Sequence, residues 1–246
     1  MTVTTERKDV WHLGGVELTS RLMLAVPETA PMEDFGEVLE AGRIQSATIK
    51  VSPMGESGAD GSALAVLREH GVHVLPNTVD AGTVDEAVQA AHHGAVLAGR
   101  PWVKLIMTED HRYNTPLPGR LLAASERLIT EGFEVFPLTT DDPGLAEELA
   151  ALGCSGLMPQ GSPAGSGQGV ANPLKFGLIR ERNRIPLLAG AGIGTAAHAC
   201  EVMEAGYDGV ASAKVIFSAR DRVRAATALA DAVAAGREIH LASAPR

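Results

Sequence analysis

The sequence predicts an α/β fold, a (β/α)8 TIM barrel built as one domain over residues 1–246, and three observations carry that prediction. The chain has 246 residues, close to the roughly 250 usual for such barrels. Eight short apolar runs alternate with helical patterns, the order expected of parallel strands joined by crossover helices. Hydrophobic residues make up 45% of the chain but aromatics only 4%, so the core must be Ala, Val, Leu and Ile, the side chains of helices packed over β-branched strands. An open doubly wound sheet has the same element order and stays the alternative, because sequence does not show whether the strands close into a ring.

Residues 1–19 form an N-terminal extension, where Gly14-Gly15 turns between two short extended pieces in a hairpin that would close the barrel bottom. Residues 21–26 read as the first strand, stopped by Pro27, and 32–41 as a helix stopped by Gly42. The second strand is 47–51; a Gly/Ser/Asp loop, 52–62, leads to a helix over 63–70. The third strand, 72–75, precedes a helix over 83–97 that opens on a capping-box pair, Thr83 and Glu86. The fourth strand, 102–107, runs into a polar loop, 108–118, and a helix that ends before Gly132. The fifth strand, 133–138, is followed by Asp142 as N-cap and Pro143 at the first helical position. Strands six to eight are 155–158, 185–188 and 208–211, and Gly71, Gly132, Gly153 and Gly206 close helices.

A net charge of -9 argues against nucleic acid or an anionic membrane as the main partner. No early apolar run is long enough for a signal or transmembrane segment, so a soluble cytoplasmic protein is expected. The two cysteines, Cys154 and Cys200, fit inert buried thiols better than a disulfide or metal framework.

Lys104 sits in the middle of the fourth apolar run, and only five of the 21 basic residues are lysine. Strand alternation points it inward. Either it snorkels to water or pairs with a carboxylate, or burial leaves a neutral amine able to form a Schiff base with a carbonyl. The loops after strands six and seven concentrate glycine, with Gly165-Ser166-Gly167 in one and Gly190, Gly192 and Gly194 in the other. Such loops either make tight turns or let backbone N–H groups approach a phosphate, to which Ala213-Lys214 after strand eight would add a charge.

These residues carry a likeness. Trp102-Val-Lys104-Leu, Leu75-Pro-Asn77-Thr78, Asp141-Asp142-Pro143, Met158-Pro-Gln-Gly-Ser-Pro-Ala-Gly165-Ser166-Gly167 and Ala191-Gly192-Ile-Gly194-Thr195, in that set, resemble bacterial thiazole synthase (ThiG) from about Val16 to the C-terminus. The resemblance implies a barrel whose Lys104 forms an imine with a ketose phosphate, followed by sulfur delivery from a ubiquitin-like sulfur carrier protein thiocarboxylated at its Gly-Gly end, without metal or other cofactor. It also implies a homo-oligomer, a phosphate site at Gly165, Ser166, Gly167, Gly192, Gly194, Ala213 and Lys214, and Asn77, Thr78 and Gly190 in the substrate pocket.

Two departures redirect the expected chemistry. Ile106 stands where that family has a glutamate, and Gly190 where it has an aspartate, so both proton-transfer carboxylates are absent. The sequence is accordingly similar to a divergent branch, the BexX-like 2-thiosugar synthases, which act on a hexose phosphate such as glucose 6-phosphate. A thiazole synthase acting on 1-deoxy-D-xylulose 5-phosphate is the alternative, and a non-catalytic barrel that binds the carrier is a third. Acid/base candidates are Asp141, Asp142 and His111, with Glu109, Asp110, His198 and His73 behind them; Asp142 reads equally as a helix cap and His73 as a core histidine. Arg180, Arg182 and Arg184 and Arg220, Arg222 and Arg224 offer charge to an acidic carrier or are ordinary helix-surface arginines.

Overall fold

The computed structural model describes residues 9–50, 58–110 and 112–243, with the side chains of 58–62 outside the description. A hairpin of β1 (Trp11–Leu13) and β2 (Val16–Leu18) comes first, turning through Gly14 and Gly15 at φ 51 and 72. Eight parallel strands follow: β3 (Leu22–Ala25), β4 (Ser46–Lys50), β5 (His73–Asn77), β6 (Trp102–Leu105), β7 (Glu134–Thr139), β8 (Met158–Pro159), β9 (Leu188–Ala189) and β10 (Gly209–Ser212). Between them run α1 (Phe35–Ala41), α2 (Gly58–Glu69), α3 (Val84–Ala98), α4 (Pro118–Thr130), α5 (Pro143–Ala151), α6 (Pro173–Arg182) and α7 (Ala196–Glu204); α8 (Lys214–Phe217) and α9 (Arg222–Ser243) end the chain.

The ladder runs β8-β7-β6-β5-β4-β3-β10-β9. Parallel bridges Leu157–Leu187 and Gln160–Ala191 join its two ends. There the Leu188 N–H donates to Leu157 O at 3.0 Å and the Gly190 N–H to Pro159 O at 2.8 Å. The ring is thus closed, and the open sheet is excluded.

Alternation sorts two cores. Val103, Leu105 and Met107 face outward into the layer between strands and helices, while Trp102 and Ile106 face the barrel interior. The interior also holds Trp11, Leu13 and Leu18 of the hairpin, so that β1 and β2 plug one end of the ring. At the other end the strands deliver their loops.

Local signals decide most element boundaries. Thr83 and Glu86 form the expected capping box on α3, and Asp142 accepts from the N–H groups of Gly144 at 2.7 Å and Leu145 at 3.3 Å. The four glycines expected to close helices, Gly71, Gly132, Gly153 and Gly206, take left-handed backbone with φ from 66 to 98. Two expectations need correction. Helix α2 begins at Gly58 rather than at residue 63, because Gly, Asp and Ser are tolerated in a first turn and resemble a loop only in composition. Strands β8 and β9 lie toward the C-terminal side of the expected 155–158 and 185–188, where pairing with β7 and β10 is available. Loop residues 52–57 and His111 lie outside the described residues.

Among the described residues no helix is long and apolar enough to cross a membrane. Cys154 is buried, and burial pushes its thiol up to about 11, an unreactive state; Cys200 is only half-buried, contrary to the expectation of two buried thiols.

A lysine-centred cavity as candidate active site

Register places the central lysine. Lys50 of β4 pairs with Asn77 of β5, which pairs with Lys104 of β6, so the three share one level of the barrel and face the same side of the sheet. Below Lys104 the interior is apolar, from Trp102 to Met23 and Leu75. The Lys104 side chain is 5% exposed and makes no ion pair or hydrogen bond with any described side chain. Burial alone pushes its pKa down to about 8, which leaves a useful fraction of neutral amine near neutral pH.

Lys104 opens into a cavity of about 490 Å³ at the loop end of the barrel. Two other lysines line it, and both are occupied. Lys50 is ion-paired with Glu28 and Asp80, whose hydrogen bonds raise its pKa and keep it an ammonium ion. The Lys214 ammonium donates to the carbonyls of Gly165 at 2.8 Å and Ser166 at 3.3 Å. The environment therefore singles out one lysine as nucleophile, holds Lys50 as a cation between two carboxylates and engages Lys214 with two carbonyls.

Of the residues named from the sequence, Asn77, Gly165, Gly167, Gly190, Gly192, Ala213 and Lys214 line the cavity with Lys104. Three predicted pocket residues stand behind its wall. The Thr78 hydroxyl donates to Ile106 O and accepts from the Ile106 N–H, both at 2.9 Å, and so stitches the β5 loop to the end of β6. The Ser166 hydroxyl meets Ser162 at 3.0 Å. Gly194 packs on the Gly167 backbone, and its N–H donates to His198 Nδ1 at 3.3 Å, so that amide is already engaged.

The described acid/base candidates lie elsewhere. Asp142 caps α5, and Asp141 faces Lys175 at 3.9 Å; both turn away with the helix that β7 feeds. Glu109 pairs with Arg120 at 2.6 Å, and Asp110 folds back on the Arg112 and Tyr113 N–H groups of its own loop. His198 sits on the Gly194 amide, and the His73 ring lies tilted against Trp102, centroids 6.4 Å apart, toward the plugged end. Arg222 is spent on Asp34 and Glu33, and Arg180 on Asp208, which removes both from the surface charge expected for a carrier.

Sequence reading missed Glu28, Lys50, Asp80 and Asn114, all of which line the cavity. The alternation that marks Lys104 also marks Lys50, two residues after the inward Thr48. Asn114 holds left-handed backbone at φ 49, and its buried Oδ1 has no partner among the described residues, an acceptor left for a ligand.

The missing carboxylates have been structurally overwritten. Ile106 is 5% exposed in the interior cluster. A Cβ on Gly190 would stand 2.5 Å from Met158 O and 2.7 Å from Leu138 Cδ1, so the wall has closed over the place an aspartate would need. Among the described residues no group of three or more His, Cys, Asp or Glu side chains is placed to hold a metal ion.

Residues 12–246 match the family of thiazole biosynthesis protein ThiG. The chain is 41% identical to a thiazole synthase of Thermus thermophilus over 97% of its own length and 89% of the relative's. It is 40% identical to a thiazole synthase of Pectobacterium atrosepticum, over 92% and 86%. The structure of the BexX/CysO complex of Amycolatopsis orientalis superimposes with a TM-score of 0.84 at 25% identity, covering 96% of both chains.

Proposed function

The chain belongs to the ThiG thiazole synthase family of sulfur-transferring enzymes, and from that premise we propose that it is a 2-thiosugar synthase working on a hexose phosphate, with glucose 6-phosphate as the expected substrate. Lys104 attacks the open-chain C1 aldehyde and water leaves, giving an imine. Loss of the C2 proton and protonation at C1 move the carbonyl to C2. A protein thiocarboxylate attacks there, its acyl group passes from sulfur to the C2 oxygen, and that oxygen leaves as the carrier's carboxylate to give a C2 thiocarbonyl. A proton then moves from C1 to C2, which restores the C1 imine, and its hydrolysis frees Lys104 and a sugar whose C2 hydroxyl has been exchanged for a thiol. No metal or other cofactor is called on. The glycine loops after β8 and β9, with Ala213 and Lys214, hold the phosphate at the far end of the sugar.

The observation that carries this proposal is a buried amine without a partner among the described residues, in a cavity whose two expected carboxylate positions are Ile106 and Gly190, the second sterically closed. The similar BexX structure is a complex with a second protein, CysO, which supports a protein sulfur donor docking at this cavity. The chain would work in the cytoplasm as a homo-oligomer.

Thiazole synthesis from 1-deoxy-D-xylulose 5-phosphate is the second reading, favoured by the 40–41% identity to thiazole synthases. Incubation of the enzyme and a thiocarboxylated carrier with each sugar phosphate, followed by mass analysis of the small molecules, separates the two. A thiolated hexose phosphate is expected; a thiazole phosphate, formed when dehydroglycine is also supplied, would replace it under the second reading.

A further inference from the structure

The imine requires a proton to leave C2 and one to arrive at C1, yet the two positions that carry carboxylates in the family are apolar or empty here. Among the described residues lining the cavity, Glu28 and Asp80 are the carboxylates, and both contact the same ammonium, Lys50. Their placement relative to Lys104 differs. Lys50, Asn77 and Lys104 occupy three adjacent strands at one level, so the two lysine Cα atoms are separated by two strand spacings, about 10 Å. Glu28 follows β3, three strands from β6, whereas Asp80 follows β5, the strand beside Lys104.

The Asp80 loop is also fastened to β6. The Thr78 N–H donates to Lys104 O at 3.3 Å, the Thr78 hydroxyl bridges the Ile106 backbone, and the Ala81 N–H returns to Thr78 O at 2.9 Å. Asp80 is thus carried on a turn anchored to the backbone of the nucleophile itself, and its side chain is 57% exposed. We propose, resting on the imine chemistry above, that Asp80 is the proton-transfer group of this enzyme and that Lys50 is the positioning residue that holds its carboxylate turned to the cavity.

The step balances. The Asp80 carboxylate takes the proton from C2 of the protonated imine, and the C2–H electron pair forms the C1–C2 double bond of a neutral enaminol while the imine electrons return to nitrogen. Protonated Asp80 then delivers its proton to C1, and the C2 hydroxyl proton passes to the Lys104 nitrogen as the C2 carbonyl forms. No oxidant, reductant or additional reactant enters.

The test measures deuterium entry from D2O into C1 and C2 of glucose 6-phosphate, without any sulfur carrier, alongside borohydride trapping of the Lys104 adduct. Wild-type enzyme and Asp142→Asn, which keeps a good helix cap, should both exchange. Asp80→Asn should trap the adduct at wild-type yield, which also reports that it is folded, while exchange falls by about 10²- to 10⁴-fold. Undiminished exchange in Asp80→Asn overturns the assignment while leaving the imine standing. Loss of the adduct in that variant also overturns it, by placing Asp80 before the proton step. A wild-type enzyme showing neither adduct nor exchange overturns the imine chemistry and the assignment together.

Discussion

At the scale of the residue, function rests on how differently three lysines in one cavity are treated. Lys50 meets two carboxylates, Lys214 meets two carbonyls, and Lys104 is buried without an ion pair or hydrogen bond to any described side chain. Adduct formation needs the free base, so the rate of borohydride-trapped adduct formation should rise about tenfold per pH unit below 8 and level off above it; a flat profile from pH 6 to 9 would contradict an amine titrating near 8. The same shift has a stability cost. Unfolded Lys104 binds its proton more tightly than folded Lys104, so the cost is fully present below about pH 8 and is relieved as pH climbs toward 10.5, by roughly 3 kcal/mol in all. Lys104→Met should therefore abolish trapping yet be more stable than wild type at pH 7, with the difference shrinking by pH 10 in denaturant titrations. Lys104 was legible in sequence as a cation inside an apolar run. Lys50 carries the same alternation signal but ends its strand beside a polar loop, so it reads equally as a solvated flank until register places it level with Lys104.

At the scale of the element, caps and loop attachments explain why residues of catalytic type are not where chemistry occurs. Asp142 spends its carboxylate on two backbone N–H groups of α5. Asp142→Ala should cost about 1 kcal/mol of stability and leave trapping at Lys104 unchanged; a deep loss of trapping in a folded variant would restore Asp142 as a catalytic candidate. Gly190 belongs to the end of β9, pressed on Met158 and Leu138 of the two preceding strands. Reintroducing the family's aspartate, Gly190→Asp, should destabilise the barrel by about 1–3 kcal/mol, and adding Leu138→Ala should recover part of that; a stable single variant would show that the wall is not closed. The caps, helix ends and strand order were readable because each is a local pattern. Cavity membership was not, since it depends on which loops turn inward, and Thr78 shows the difference: its neighbour Asn77 lines the cavity while its own hydroxyl is consumed by the Ile106 backbone.

At the scale of the whole molecule, ring closure between β8 and β9 and the plug formed by β1 and β2 make an interior with one open end. The plug supplies the apolar floor that keeps Lys104 out of water. Trp11, 5% exposed and donating its Nε1–H to Ser20 O at 2.9 Å, is its largest side chain. Trp11→Ala should cost about 3–5 kcal/mol, visible as a lowered denaturant midpoint; a negligible cost would mean that the hairpin does not support the floor. Eight strands could be counted in sequence because each is a short apolar run, but closure depends on the pairing of two consecutive two-residue strands, β8 and β9, and appears only in the assembled ring. What the barrel provides is a dry amine at the mouth of a sugar-sized cavity, and peptide mapping after borohydride reduction with glucose 6-phosphate measures that most directly. A reduced hexose phosphate on Lys104 alone, absent from Lys104→Ala, is the expected outcome; an unmodified Lys104, or the sugar found on Lys50 instead, would contradict it.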